Sequence, residues 1–573
     1  MEQSRPLTRN RSRAGYGLDL LLALLLFVAG LGVRWLYATS TAFPPSDESA
    51  FYLTTAENVL SGRGLEVDTL WNYQFSFPDV AHPSHEHWMP LTTGLIAAAF
   101  ALQRALTGTI ETSLQIAQMP GLVLGALLTP LTYLFGRRAL PGDAGSVQTP
   151  WPGSRWASLA AGLLVALNPM LSYQSTGMDS RAPLALLTAW ALALAVRRPG
   201  DQGGYLAAGL LAALAYLTHT NGLLLLVTIP LAWWLLPAPQ RFQTALPDNP
   251  AAEFVWDHWP RDREAAEEQR AALGPSLFNL LDLAVAFALI VTPWLIRNFL
   301  TFGTLQPTLP LNQAWLSDYT DIFGYLSHPT LQTWLAEGWE VLLDQRFQAL
   351  MHNGRIFLLS TFPWGLLALP GLWFLRREWS FFPSLIYGLL LFLGVALVFP
   401  ISSLAGAFQH SLGAWMPFLA LAAIYALQRV AQPVRQLRKQ ADIALLAAVM
   451  ALLLLTALPL TRVLPAMADH QRATKEQFQA QADWLTQHAA PSDVVMTPQT
   501  YSLNYASKHP TIALPGNEPP DSAWAAAQQY GARFLIIDQT FGLYPQILHE
   551  QADPRFRLVE TNEDTEIYEI ITR

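Results

Sequence analysis

The chain has 573 residues, 52% hydrophobic and 13% charged, with 20 tryptophans, no cysteine and a formal net charge of −8. Soluble domains carry about 25% charged residues, so the composition excludes an ordinary soluble protein and points to many membrane spans. The missing cysteine excludes disulfides, thiolate catalysis and cysteine-held zinc or iron–sulfur centres, and no basic patch offers a surface for nucleic acid.

The first element is the run GLDLLLALLLFVAGLGVRWLYA, residues 17–38, long enough for a hydrocarbon layer of roughly 30 Å. It exceeds a signal-peptide core and no small-residue cleavage site follows, so we read it as a retained first span. Further spans are expected at 113–136, 155–171, 181–197, 203–218, 221–237, 276–296, 354–375, 381–400, 409–429 and 442–463. That makes about eleven, with eleven to thirteen as the range. Arg5, Arg9, Arg11 and Arg13 set the N-terminus in the cytoplasm, and counting alternately brings Arg137–Arg138–Arg155, Arg197–Arg198, Arg376–Arg377 and Arg429–Arg435–Arg438–Lys439 to that side. Counting HWMPLTTGLIAAAFALQRAL, His87–Leu106, as a span would move these arginines outside, so it is expected to be an interfacial helix.

Between the spans lie a first outer loop at 39–112, a charged cytoplasmic loop at 237–275 and a large outer loop at 297–353. After the last span the pattern changes to helix (KEQFQAQADWLTQHA), strand (DVVMTP), helix (SAWAAAQQYG) and strands (ARFLIIDQ, FRLVETN, TEIYEI). This alternation predicts a small α/β domain, outside the cytoplasm by the same count. The expected architecture is thus a polytopic α-helical membrane module, 1–463, with a C-terminal extracytoplasmic α/β domain, 464–573, in the cell (inner or plasma) membrane.

The ionisable residues expected at the outer ends of helices include Asp47, Glu48, Glu86, His87, Asp179, Arg181, His219, Arg297 and His410. Charge at membrane depth is costly and usually faces a polar cavity with partners. The acidic pair Asp47–Glu48 has two readings, as the acidic first turn and cap of a helix or as a general base with its neighbour. His82, His85, Glu86 and His87 form either a polar loop that contacts substrate or, through Glu86 and His87, a site for a divalent metal.

Five stretches carry a resemblance: FPPSDESAFY (43–52), HPSHEHWMPLTTGL (82–95), NPMLSYQSTGMDSRAPLALL (168–187), TPWLIRNFLTFGTLQP (292–307) and GAFQHSLGAWMPFLA (406–420). Together, in order over 17–463, they resemble the GT-C superfamily of integral-membrane glycosyltransferases, in particular protein O-mannosyltransferases and lipid A aminoarabinose transferases. The resemblance implies inverting transfer of a sugar from a polyprenyl-phosphate carrier to a lipid, glycan or protein acceptor at the outer face. In that frame Asp47 is the general base, and Glu48 is its neighbour, which holds a metal or orients the acceptor. Arg297, Asn298, Arg181, His219 and His410 bind the donor phosphate, while Tyr52, His82, Glu86, His87, Tyr173 and Asp179 line the substrate cavity. No soluble nucleotide-sugar site is required and no cofactor is assigned, with a divalent metal as the open alternative. Two competing readings are a flippase for lipid-linked sugars and a non-catalytic scaffold in polysaccharide assembly.

Overall fold

The computed structural model describes residues 8–140, 153–195, 203–235, 263–437, 441–538, 548, 553–562 and 565–571, apart from 110, 308–309, 327, 377, 379 and 517. The chain is mainly helical with a small C-terminal sheet. The first nine α-helices are α1 (Thr8–Ala38), α2 (Asp47–Leu60), α3 (Leu91–Thr107), α4 (Leu114–Ala139), α5 (Gly153–Leu167), α6 (Pro169–Gln174), α7 (Arg181–Leu194), α8 (Gly203–Thr218) and α9 (Leu224–Leu235). A long helix, Arg263–Phe302, packs on α8 and leads into the segment expected as the large outer loop.

Among the described residues, four helices are long and apolar enough to cross a membrane: Gly17–Ala38, Leu114–Ala139, Phe278–Phe302 and the segment Asp442–His488. A fifth would be the pair Trp339–Thr361 and Gly365–Leu375, which is bent by 102°. Six more apolar helices have only 10–17 residues, and at 1.5 Å per residue even the longest falls short of a layer of roughly 30 Å. Every expected span thus meets a helix, but the count of eleven goes beyond what length and apolarity establish. Two local causes are visible. The apolar run 155–171 breaks where Asn168 caps a new helix, its Oδ1 accepting from the Leu171 amide at 2.9 Å, with Pro169 in the first turn. The run 354–375 turns sharply between Thr361 and Gly365.

The core of the bundle is the helix Met416–Leu437, in which every residue from Phe418 to Ala426 is buried. It packs against the helix Gly365–Leu375 at Gly371, where a Cβ would overlap the Ala422 carbonyl, so only glycine permits this approach. Outward faces are apolar as well: Leu20, Leu24 and Val28 on α1, Leu289 and Leu300 on Arg263–Phe302, and Leu366 and Leu454 further on are all exposed. Water would disfavour such a belt, whereas lipid solvates it; the chain is a membrane protein.

The helix Leu460–His488 runs without interruption into the C-terminal domain, so the expected boundary at 463 falls in its first turn. The sheet order is β2-β5-β4-β6-β8-β7, built from β2 (Thr69–Leu70), β4 (Val494–Thr497), β5 (Thr511–Ala513), β6 (Ala532–Asp538), β7 (Phe556–Thr561) and β8 (Thr565–Ile570). β2, β5, β4 and β6 are parallel, and β8 and β7 return antiparallel. Alternate residues cover both faces: Met496, Leu535 and Ile537 join one cluster, Val495, Phe534 and Ile536 another, as the two-residue strand period requires. β1 (Glu66–Val67) and β3 (His82–Pro83) form a separate antiparallel pair. β2 belongs to the first outer loop, so one sheet draws on both of the expected modules.

Candidate active site

The acidic pair opens α2. Ser46 is the N-cap, and its hydroxyl accepts from the Ser49 amide at 3.2 Å. That role is therefore filled by Ser46, and both carboxylates of the first turn are available for other partners. Asp47 Oδ1 accepts from the amide (3.0 Å) and hydroxyl (2.6 Å) of Ser502, and Oδ2 from Thr500 Oγ1 at 3.4 Å. Burial pushes the Asp47 carboxyl above its ordinary range, against the pull of these hydrogen bonds. Glu48 Oε1 accepts from Ser180 Oγ at 2.5 Å and from the Ser180 amide at 3.3 Å.

Both acids line a cavity of about 1190 Å³. Facing them are Arg181, His219 and His410, with Tyr173, Gln174 and Asn221 beside them. Arg181 opens α7 and pairs with Asp179 at 3.3 Å; the Asp179 side chain is fully buried, and burial raises its pKa to about 6 against the opposing pull of Arg181. Asp179 also accepts from the Arg181 amide at 2.9 Å. It lies behind the cavity wall and orients the arginine.

His219 caps the 3-10 turn Thr220–Leu223, its Nδ1 accepting from the Asn221 amide at 3.1 Å. The neutral ring then carries its proton on Nε2, and burial lowers its pKa, favouring that neutral form. The His219 and His410 rings lie 4.4 Å apart. His410 Nε2 lies 2.7 Å from Ser180 Oγ; with Nε2 protonated it donates to Ser180, which donates in turn to Glu48. One acid is thereby linked through a serine to the imidazole wall.

A second wall is apolar: Leu224 and Val227 from α9, and Leu390, Leu391, Gly394 and Val398 across from them. A single π-helical turn, Leu390–Gly394, carries Leu390, Leu391 and Gly394 of this wall, a device frequent at functional sites. Val227 and Val398 are 53% and 48% exposed, so this wall is open apolar surface rather than packed core. The remaining sides come from Tyr319 of the large outer loop and from His470, Gln471, Thr474 and Gln477 of the helix Leu460–His488.

The other expected site residues fall elsewhere. Tyr52 is buried in the apolar cluster beneath α2. Arg297 donates to the Ser84 carbonyl at 2.9 Å and to Asn298 Oδ1 at 3.1 Å, and its guanidinium lies 4.9 Å from both the Trp294 and Phe302 rings. Asn298 is buried and donates to the Leu305 carbonyl. Neither lines the cavity; they tie the large outer loop to the 82–87 segment. Within that segment His82 donates to the Val80 carbonyl, stacks on Phe77 at 4.1 Å and pairs with Glu86 at 3.6 Å. His85 contacts Thr93 Oγ1 at 3.0 Å. Only His87, set against Asn72, reaches the cavity, with Trp71 and Trp88. With Glu86 engaged by His82, no group of three or more His, Asp or Glu side chains converges on a metal-binding position among the described residues. Sequence reasoning did not single out Ser180, Thr500, Ser502 or Asn221, since hydroxyls and amides are too common to signal a site.

No family model matches this sequence, and no curated protein does. Among solved structures, the chain is similar to ArnT from Cupriavidus metallidurans bound to undecaprenyl phosphate, at 14% identity and a TM-score of 0.57, over 95% of this chain and 97% of that one. A looser likeness joins it to the archaeal oligosaccharyltransferase AglB from Archaeoglobus fulgidus, at 12% identity and a TM-score of 0.48, over 91% and 69%. At these identities the likeness speaks to architecture alone. The fold of this chain is similar to that of ArnT over nearly the whole length of both chains.

Proposed function

We propose that this chain is an inverting glycosyltransferase that moves a sugar from a polyprenyl-phosphate donor to an acceptor hydroxyl at the outer face of the membrane. The observation that carries the reading is the cavity, in which an acidic pair faces an arginine and two histidines while another wall is open apolar surface. A lipid-linked phosphosugar matches those walls in one molecule: an isoprenoid tail for Val227 and Val398, a phosphate for Arg181, and a sugar between phosphate and acids. The ArnT structure holds such a carrier phosphate, undecaprenyl phosphate, which supports the same class of donor here.

In the proposed reaction Asp47 accepts the proton of the acceptor hydroxyl as its oxygen bonds to the anomeric carbon. The bond between that carbon and the phosphate oxygen breaks, and the carrier phosphate leaves with the electron pair. Arg181 stabilises the phosphate charge with its guanidinium fork, and His219, with its proton on Nε2, contributes a neutral N–H donor nearby. The raised pKa of Asp47 suits a base that must hold a proton after transfer.

The test is incubation of the purified chain with undecaprenyl-phosphate-linked hexoses and pentoses, following release of undecaprenyl phosphate. Release with at least one donor is expected. Passage of an intact donor across proteoliposomes without release would favour a flippase instead.

A further inference from the structure

Asp47 sits on α2, beside the bundle, yet its hydrogen bonds come from the C-terminal domain, 455 residues further on. The donors stand in the first turn of the helix Thr500–Ser507, and that turn is fixed to the first outer loop from several directions. Tyr501 is fully buried, with its ring 5.1 Å from Phe51 and 5.5 Å from Trp88. Thr69 pairs with Thr511 in the parallel register of β2 and β5. Thr511 Oγ1 lies 3.1 Å from Thr69 Oγ1 and 3.0 Å from the Thr500 carbonyl. Sheet, ring cluster and helix start therefore hold Ser502 and α2 in one frame.

We propose that Ser502 is a positioning residue that aims the Asp47 carboxylate, so that the C-terminal domain completes the active site. This rests on the functional reading above. Two donors of one residue meet a single oxygen, Oδ1, which fixes the plane of the carboxylate. Oδ2, with the longer contact to Thr500, is the oxygen that takes the acceptor proton. Both bonds also favour the ionised form of a carboxylate that burial would otherwise protonate. The titratable and charged groups facing Asp47 are Glu48 on its own helix, Tyr501 beside Ser502, and Tyr319 of the large outer loop. Across the same cavity stand Arg181, His219, His410, His87, His470 and Asp538. Among these groups, a Ser502→Ala change alters only what Asp47 Oδ1 receives.

Two readouts on the full chain in detergent test this. The first is the pH dependence of Asp47 labelling by dicyclohexylcarbodiimide, which attacks protonated carboxyls, read by mass spectrometry. The second is turnover of the donor that the undecaprenyl-phosphate panel identifies, measured as kcat against pH. In Ser502→Ala the labelling midpoint and the acid limb of kcat should both move up by about one pH unit, and kcat at its plateau should fall about tenfold. Ser502→Thr, which keeps a hydroxyl, should restore both; a Thr variant as impaired as the Ala variant would point to lost packing and overturn the proposal. Unchanged midpoint and kcat in Ser502→Ala, with Asp47→Asn inactive, would overturn the positioning role while leaving the functional reading intact. Full turnover in Asp47→Asn would overturn the functional reading and the positioning role with it.

Discussion

Asp47 and Glu48 are neighbours in one helical turn, but they are held by different regions of the molecule. Asp47 takes its hydrogen bonds from Ser502 of the C-terminal domain, whereas Glu48 takes its own from Ser180 at the start of α7 in the bundle. The bundle side leads through Ser180 to His410 and His219, the wall that faces the proposed leaving phosphate. The domain side gives Asp47 the amide and hydroxyl of Ser502 and the hydroxyl of Thr500. Two carboxylates with the same sequence surroundings thereby acquire different environments, which is how one site assigns base and support to separate groups.

The sharpest way to break this distinction is Asp47→Asn. The amide keeps an oxygen for Ser502, so the fold should persist while donor turnover falls about 10³-fold, the scale of a lost general base. Equal losses in Asp47→Asn and Glu48→Gln would erase the difference between the two acids. Arg181→Ala should follow, with kcat/KM lower by about 10²-fold through weaker phosphate stabilisation, read in the same assay. Glu48→Gln is expected to lose about tenfold, since Ser180 can still donate to the amide oxygen. The smallest catalytic effect belongs to Arg297→Ala: turnover within about threefold of wild type, but thermal stability lowered by about 1–2 kcal/mol as two hydrogen bonds and two cation–π contacts are lost. A loss in Arg297→Ala as large as in Arg181→Ala would return Arg297 to the phosphate site.

The pH profile sharpens the same comparison. A base must be ionised to act, and the folded pKa of Asp47 is raised. Turnover should therefore fall as pH drops through a value above the ordinary aspartate pKa of about 3.9. In Glu48→Gln that acid limb should persist, because it belongs to Asp47.

Much of the site was legible in the sequence because charge in an apolar chain is conspicuous. Asp47, Glu48, Arg181, His219 and His410 stand out for that reason, and all five line one cavity. Arg297 stands out equally, yet its partner is a backbone carbonyl 213 residues away, at Ser84, and no local pattern signals such a contact. The hydroxyls of Ser180 and Ser502 resemble many others in the chain; only the fold brings them to the acids. At the level of fold, apolar runs predicted helices well, since hydropathy follows the lipid. They did not reveal the turn between Thr361 and Gly365 or the cap at Asn168, where the chain stays apolar while its direction changes. The two-residue strand β2 was also hidden, because its pairing with β5 comes from the far end of the sequence.

The central claim is a single displacement in which Asp47 takes a proton and forms no bond to the sugar. Its most direct test is proton NMR of the first-formed product, taken before mutarotation when water serves as acceptor for an undecaprenyl-phosphate-linked hexose. Inversion of the anomeric configuration relative to the donor is the predicted result. Net retention would mean a double displacement or a same-face substitution at the anomeric carbon, and would contradict the single displacement with Asp47 as general base.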